Sequence, residues 1–207
     1  VLTFRCSGWN SAAFLAALVL APLPAAAANI PVTTLADADA VDGECSLREA
    51  IQAANNDSPY NECAAGTGSS DRILLTVPGT ILVTAHLPEF LDSAALVGLG
   101  PGTSTIHGQD AWTLLRLDTG GSGPALNAGA HTVRIRDAVF SSSTASLRGG
   151  ALMALNTDLV LERVWLTGNT VTGDTGGGAI FADGGTLRLL ASTVDGNTTT
   201  HATAAGG

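Results

Sequence analysis

Gly149-Gly150-Ala151-Leu152 returns as Gly177-Gly178-Ala179-Ile180, at an offset of 28. Without a gap the same offset aligns Leu159 with Leu187, Leu161 with Leu189, Leu166 with Val194, and Gly168-Asn169 with Gly196-Asn197. An earlier, weaker copy sets Val133, Ile135 and Phe140 against Leu159, Leu161 and Leu166 at an offset of 26. Three copies at a period in the twenties are the signature of a solenoid, in which each repeat buries its apolar face only by stacking on its neighbours.

The pattern inside one repeat says which solenoid. Leucine-rich repeats need a longer leucine framework, and helical repeats need a helical period; neither is present. Each unit instead holds short alternating runs, Ala179-Ile180-Phe181, Thr186–Leu189 and Ser192-Thr193-Val194. Turns at Asp183-Gly184-Gly185 and Asp195-Gly196-Asn197 separate them. One strand per side and several sides per coil predict an all-β, parallel β-helix. Asn169 and Asn197 then fall in successive coils, either as an amide ladder along the axis or as ligand contacts. The ladder is the better reading, because Asn suits a repeat turn.

Upstream, further β-rich runs extend the same reading: Ile73-Leu74-Leu75, Thr80–Val83, Ala95-Leu96-Val97, Thr113-Leu114-Leu115 and Val133-Arg134-Ile135. The 207 residues carry a net charge of −9, and the nine basic residues are all Arg. That balance argues against a nucleic-acid or anionic-membrane partner, which needs clustered positive charge. A hydrophobic content of 45% against 13% charged residues speaks against disorder.

The segment 1–28 reads as a secretory signal peptide. Arg5 precedes an apolar stretch, Ala12–Leu23, and Ala25–Ala28 offers a small-residue cleavage site before Asn29. Pro22 and Pro24 break the run well short of the roughly 20 residues that a membrane span needs. No later run is long enough to span a bilayer. Cys6 leaves with the leader, and Cys45 and Cys63 remain. In an oxidising compartment a structural disulfide between them is a better reading than a two-thiolate metal site or a redox pair. Closing that loop stabilises the fold by about 3 kcal/mol in the chain-entropy model.

Between the cysteines lies one convincing helix. Ser46-Leu47-Arg48-Glu49 has the form of a capping box, with the Ser46 hydroxyl facing the Glu49 amide and the Glu49 carboxylate reaching back. Leu47, Ala50, Ile51 and Ala54 follow on one face, and Asn55–Pro59 ends the helix. Arg48 is expected on the solvated face.

Cys45-Ser46-Leu47-Arg48-Glu49-Ala50-Ile51-Gln52-Ala53-Ala54-Asn55 resembles the motif from which CSLREA-domain proteins take their name. Cys63, Asp71–Leu75, Pro78-Gly79-Thr80 and the Gly-rich elements at Gly177–Phe181 and Gly196–Thr198 are also similar to that family. The resemblance implies an exported bacterial protein whose N-terminal cap leads into right-handed parallel β-helix coils of the polymorphic outer-membrane-protein type. The expected organisation is a leader over 1–28, a disulfide-pinned helical cap over 29–70 and coils over 71–207. The helix would close the first coil, whose open cross-section otherwise invites end-to-end stacking. Gly206-Gly207 falls close to where the spacing from Gly177-Gly178 would start another coil, so a longer protein is expected.

Function is less legible. Glycoside hydrolysis needs two carboxylates about 5–9.5 Å apart. The acids here do not align between repeats: Asp195 falls opposite Thr167, Asp183 opposite Leu155 and Glu162 opposite Leu190. Asp110 and Asp118 are the least implausible catalytic candidates, and His107 is expected in a solvated turn. Asp37, Asp39 and Asp42 read as a solvated acidic loop rather than a cation site. No catalytic residue, metal or cofactor is assigned. The expected role is display, adhesion or binding of extracellular carbohydrate or a surface protein. The alternatives are a polysaccharide lyase or glycoside hydrolase with its catalytic coil further on, or a purely structural stalk.

Overall fold

The computed structural model describes residues 27–68, 70–118, 131–173 and 176–200. The expected leader, but for Ala27 and Ala28, lies outside the described residues, as do Cys6 and Gly206-Gly207. The described chain is built of short strands in parallel sheets, with one helix, α1 (Leu47–Asn56).

Four sheets collect the strands. The first runs β1 (Asn29–Val32), β2 (Asp71–Leu75), β4 (Ala94–Val97), β7 (His131–Arg136), β11 (Thr157–Glu162) and β15 (Leu187–Leu190). The second runs β3 (Gly79–Leu82), β5 (Ser104–His107), β8 (Val139–Ser141), β12 (Trp165–Thr167) and β16 (Thr193–Asp195). The third holds β6 (Leu115–Asp118), β10 (Leu152–Leu155) and β14 (Ile180–Asp183). The fourth holds the two-residue strands β9 (Thr144–Ala145), β13 (Thr170–Val171) and β17 (Thr198–Thr199). From β10 onward the chain visits the third, first, second and fourth sheets in turn and then repeats the circuit.

The pairing register follows the sequence offsets. Leu159 pairs with Val133 on one side and Leu187 on the other, and Leu161 with Ile135 and Leu189. Leu166 lies between Phe140 and Val194. Like residues therefore stack on like, and Val133, Ile135, Phe140, Leu159, Leu161 and Leu166 are all buried in one continuous core. The last circuit differs: Leu187, Leu189 and Val194 are exposed, since no described strand stacks on the far side of β15 or β16.

Corners repeat as strictly as strands. Left-handed φ values recur at Gly149 and Gly177, Asn156 and Gly184, Arg163 and Ala191, and Gly168 and Gly196. Every one of these pairs keeps the spacing of the sequence repeat. Gly150, beside the first corner, is required for space instead: a Cβ there would lie 2.0 Å from the Gly178 carbonyl oxygen on the next circuit. The Gly-Gly doublet thus combines a turn residue with a close-approach residue.

At the N-terminal end, α1 packs against β1 and β2 and buries Leu47, Ala50, Ile51, Ala53 and Ala54. Full burial of Leu47 and Ile51 stabilises this end by roughly 1.5–3 kcal/mol each. The helix ends in a left-handed Asp57 at φ 49°. Cys45 and Cys63 are disulfide-bonded and buried, with Cα atoms 4.9 Å apart. The stretch 29–70 also holds a strand. Its β1 pairs in register with β2, Ile30 against Ile73 and Val32 against Leu75, and so belongs to the first sheet.

Three local expectations need correction. His107 does not sit in a turn; it closes β5 and pairs with Leu82 and Ser141, because the run Ser104–His107 alternates buried and half-buried positions. The strand expected at Thr113 begins at Leu115. Arg48 is not on a solvated face, because the chain on either side of α1 folds over it and supplies partners for its guanidinium.

Candidate functional site

The cap residues form a dense polar knot. Ser46 has φ −80° and ψ 166°, and its Oγ accepts the Glu49 N–H at 3.2 Å while Glu49 Oε2 accepts the Ser46 N–H at 2.9 Å. The buried Glu49 also accepts from Ala40 N–H and from Asn61 Nδ2. Burial works against its charge, but the hydrogen bonds from Ser46, Asn61 and Ala40 together outweigh that and hold the carboxyl below its ordinary range. The sequence shows the Ser46–Glu49 spacing; the contributions of Ala40 and Asn61 come from chain folded across it.

Arg48 reaches away from solvent. Its Nε and Nη2 donate to the two oxygens of Asp37 at 3.0 and 2.8 Å, and Asp37 has no exposed side-chain surface. Nη1 and Nη2 also donate to the carbonyls of His86 and Ala85. At the other end of α1, Asn55 donates to the Glu89 carbonyl at 2.6 Å and accepts the Leu91 N–H at 3.0 Å. One helix thus grips the 85–91 segment at two points. The acidic loop is correspondingly not simply solvated: Asp37 holds Arg48 and Thr84, Asp39 takes the Tyr60 hydroxyl and Asn61, and Asp42 caps the Glu44 N–H.

The two asparagines meet. Asn169 is fully buried; its Nδ2 donates to Asn197 Oδ1 and to the Phe140 carbonyl, and its Oδ1 accepts from the Ser143 N–H and hydroxyl. Asn197 Nδ2 donates to the Leu166 carbonyl. Ser143 therefore makes a third rung, invisible in the sequence because a hydroxyl replaces the amide. Asp110, at φ 57°, lies exposed in a turn, and Asp118 ends β6. The structure does not bring the sequence candidates together into one site.

A cleft of about 490 Å³ lies elsewhere, along the outer face of β10 and the approach to β6. Parallel register places Arg116 of β6, Met153 of β10 and Phe181 of β14 side by side, and the first two line the cleft. Trp112, just before β6, and His86 form one wall, their rings edge to face with centroids 4.9 Å apart and planes at 72°. Leu147 and Arg148 form another; Leu147 is 68% exposed, and the Arg148 guanidinium stands 4.7 Å over the Phe181 ring. Arg116 Nη2 is paired with Glu89 Oε1 at 2.5 Å.

No family model, curated protein or solved structure matches the chain.

The chemistry of the cleft is read from its lining. It offers an aromatic pair, an exposed aliphatic side chain, two guanidinium groups and the hydroxyl residues Thr113, Thr144, Ser146 and Thr172. None of the described residues lining it is a carboxylate. The lining presents apolar faces, hydrogen-bonding groups and positive charge at once. The helix grip explains its shape, because the segment that Arg48 and Asn55 hold carries His86 into the wall and Glu89 to Arg116. Sequence reasoning missed these residues. They come from five separated stretches, and single Trp, His and Arg residues carry no spacing signal. Among the described residues, no helix is long and apolar enough to cross a membrane.

Proposed function

We propose that this chain forms a helical cap and coils of an exported, right-handed parallel β-helix protein acting in surface display or adhesion, and that it binds carbohydrate or protein. The handedness is supported by the cyclic course of parallel strands, since crossovers between parallel strands are right-handed in about 98% of cases. Export is supported by the leader-like segment 1–28 and by the Cys45–Cys63 disulfide, a bond that persists in oxidising compartments. The resemblance of Cys45–Asn55 to the CSLREA motif points the same way.

The observation that carries a binding role is the cleft bounded by Trp112, His86, Arg116 and Arg148. Concave, largely apolar sites with a few convergent polar groups are where ligands bind. The test is retention of the purified chain on immobilised panels of bacterial and host glycans and surface proteins. Selective retention that Trp112→Ala abolishes is expected. Retention by none of the panel, or retention indifferent to Trp112→Ala, would overturn the binding role. Expression with the segment 1–28 attached should leave a mature protein beginning near Asn29 outside the cytoplasm; an uncleaved cytoplasmic product would refute export.

A further inference from the structure

We infer that the cleft is selective for a saccharide bearing carboxylate groups, with Arg148 as the residue that reads the acid; this rests on the cleft being the binding site proposed above. The chain has nine Arg residues and a net charge of −9, so a positive cleft is against the average of the surface. Most of the guanidinium groups with a described carboxylate partner are spent on the fold. Arg48 is locked to Asp37, and Arg163 is paired with both Asp137 and Glu162.

Arg148 is different. It has no described carboxylate ion pair and, unlike the other Arg residues of which that is true, it lines the cleft, where its guanidinium stands over the Phe181 ring. A guanidinium held over a ring has one side against the aromatic face and still carries N–H donors that a carboxylate can take up. Arg116 adds a second guanidinium in the same cleft, already half-neutralised by Glu89 and therefore oriented rather than free. The rest of the lining suits a sugar better than a peptide. Trp112 lines the cleft with an apolar ring suited to the C–H side of a pyranose, and Thr144, Ser146 and Thr172 line it with hydroxyls that suit those of a sugar.

The experiment is calorimetric titration of the full chain with three probes: a trimer of galacturonic acid, the neutral galactose trimer, and triglutamate. The acidic sugar is expected to bind about ten-fold or more tightly than the neutral one, the difference one charged hydrogen-bonded contact makes. Added salt should weaken the acidic sugar and leave the neutral one unmoved. Arg148→Gln should remove the discrimination, and Arg188→Gln, on the outer side of β15, should preserve it. Unfolding midpoints of both variants, equal to that of the parent, show that the fold is intact. Equal affinity for the two sugars, discrimination that survives Arg148→Gln, or no binding of either sugar would overturn the inference. Triglutamate binding as tightly as the acidic sugar would overturn it in favour of an acidic peptide. Equal binding of both sugars that Trp112→Ala abolishes would sink the carboxylate selectivity while leaving the proposed binding role standing.

Discussion

Asn169 Nδ2 donates to Asn197 Oδ1 across 2.8 Å, joining one circuit of the chain to the next through the interior of a corner. The bond matters because Asn169 is fully buried and satisfies three further groups, the Ser143 N–H and hydroxyl and the Phe140 carbonyl. Asn169→Ala orphans them and should cost about 3 kcal/mol. Asn197→Ala, nearer the solvent-facing end of the ladder, should cost only about 1 kcal/mol. Urea unfolding of both variants checks this; equal losses would contradict the ladder as the source of the effect.

Ser46 does two jobs with one hydroxyl, accepting from Glu49 N–H and donating to the Ala38 carbonyl at 2.6 Å, and it is fully buried. Ser46→Ala should therefore cost about 2 kcal/mol, above the roughly 1 kcal/mol of an ordinary cap. The shift in unfolding midpoint measures it, and a loss under half that size would mean the Ala38 bond adds nothing.

Glu49 sets a pH dependence. Its folded carboxyl titrates below the ordinary 4.5, so it binds its proton less readily folded than unfolded. Its contribution is whole above that ordinary value and is lost as pH falls through the lower folded value. Glu49→Gln should flatten the acid limb of the stability profile, the fall that begins as pH drops below the ordinary 4.5. Chemical denaturation across that fall tests it, and parallel acid limbs for parent and variant would refute the assignment.

Arg48 and Asp37 form the ion pair on which the 85–91 segment hangs. Arg48→Ala strands a buried carboxylate and should cost about 3 kcal/mol. Because His86 loses its carbonyl anchor, the His86–Trp112 ring contact should loosen too. Emission of Trp112, read in the chain from residue 29 onward in a Trp165→Phe background, reports that in the folded variant, and an unchanged spectrum would separate Arg48 from the cleft.

The glycines divide by mechanism. A Cβ on Gly168 meets nothing within 4 Å but sits at φ 63°, so Gly168→Ala should cost about 1 kcal/mol from backbone strain. A Cβ on Gly150 would collide with the Gly178 carbonyl at 2.0 Å, and Gly150→Ala should cost about 3 kcal/mol or more. Thermal melts would rank the two; a milder Gly150 variant would mean the circuits can part without penalty.

The repeat, its register and the helix with its capping box could all be read from the residues alone. Leu159, Leu161 and Leu166 recur at fixed offsets because parallel in-register stacking puts identical positions beside each other, so the pairing is written as periodicity. The Ser46–Glu49 capping box and the face of Leu47, Ile51 and Ala54 were legible for the same reason: helical geometry is local. The fourth sheet was not legible, since strands of two residues such as Thr170–Val171 have no period to read. Nor was β1, where Pro31 interrupts the strand signal and Leu74, its pairing partner, is remote in the chain. That Arg48 faces inward, and that His86, Trp112, Arg116 and Arg148 share a cleft, emerges only when the chain is folded. Their meeting depends on how far the chain advances per circuit and on a helix gripping a loop far from it in sequence. Those distances are set by packing, and no local pattern of side chains encodes them.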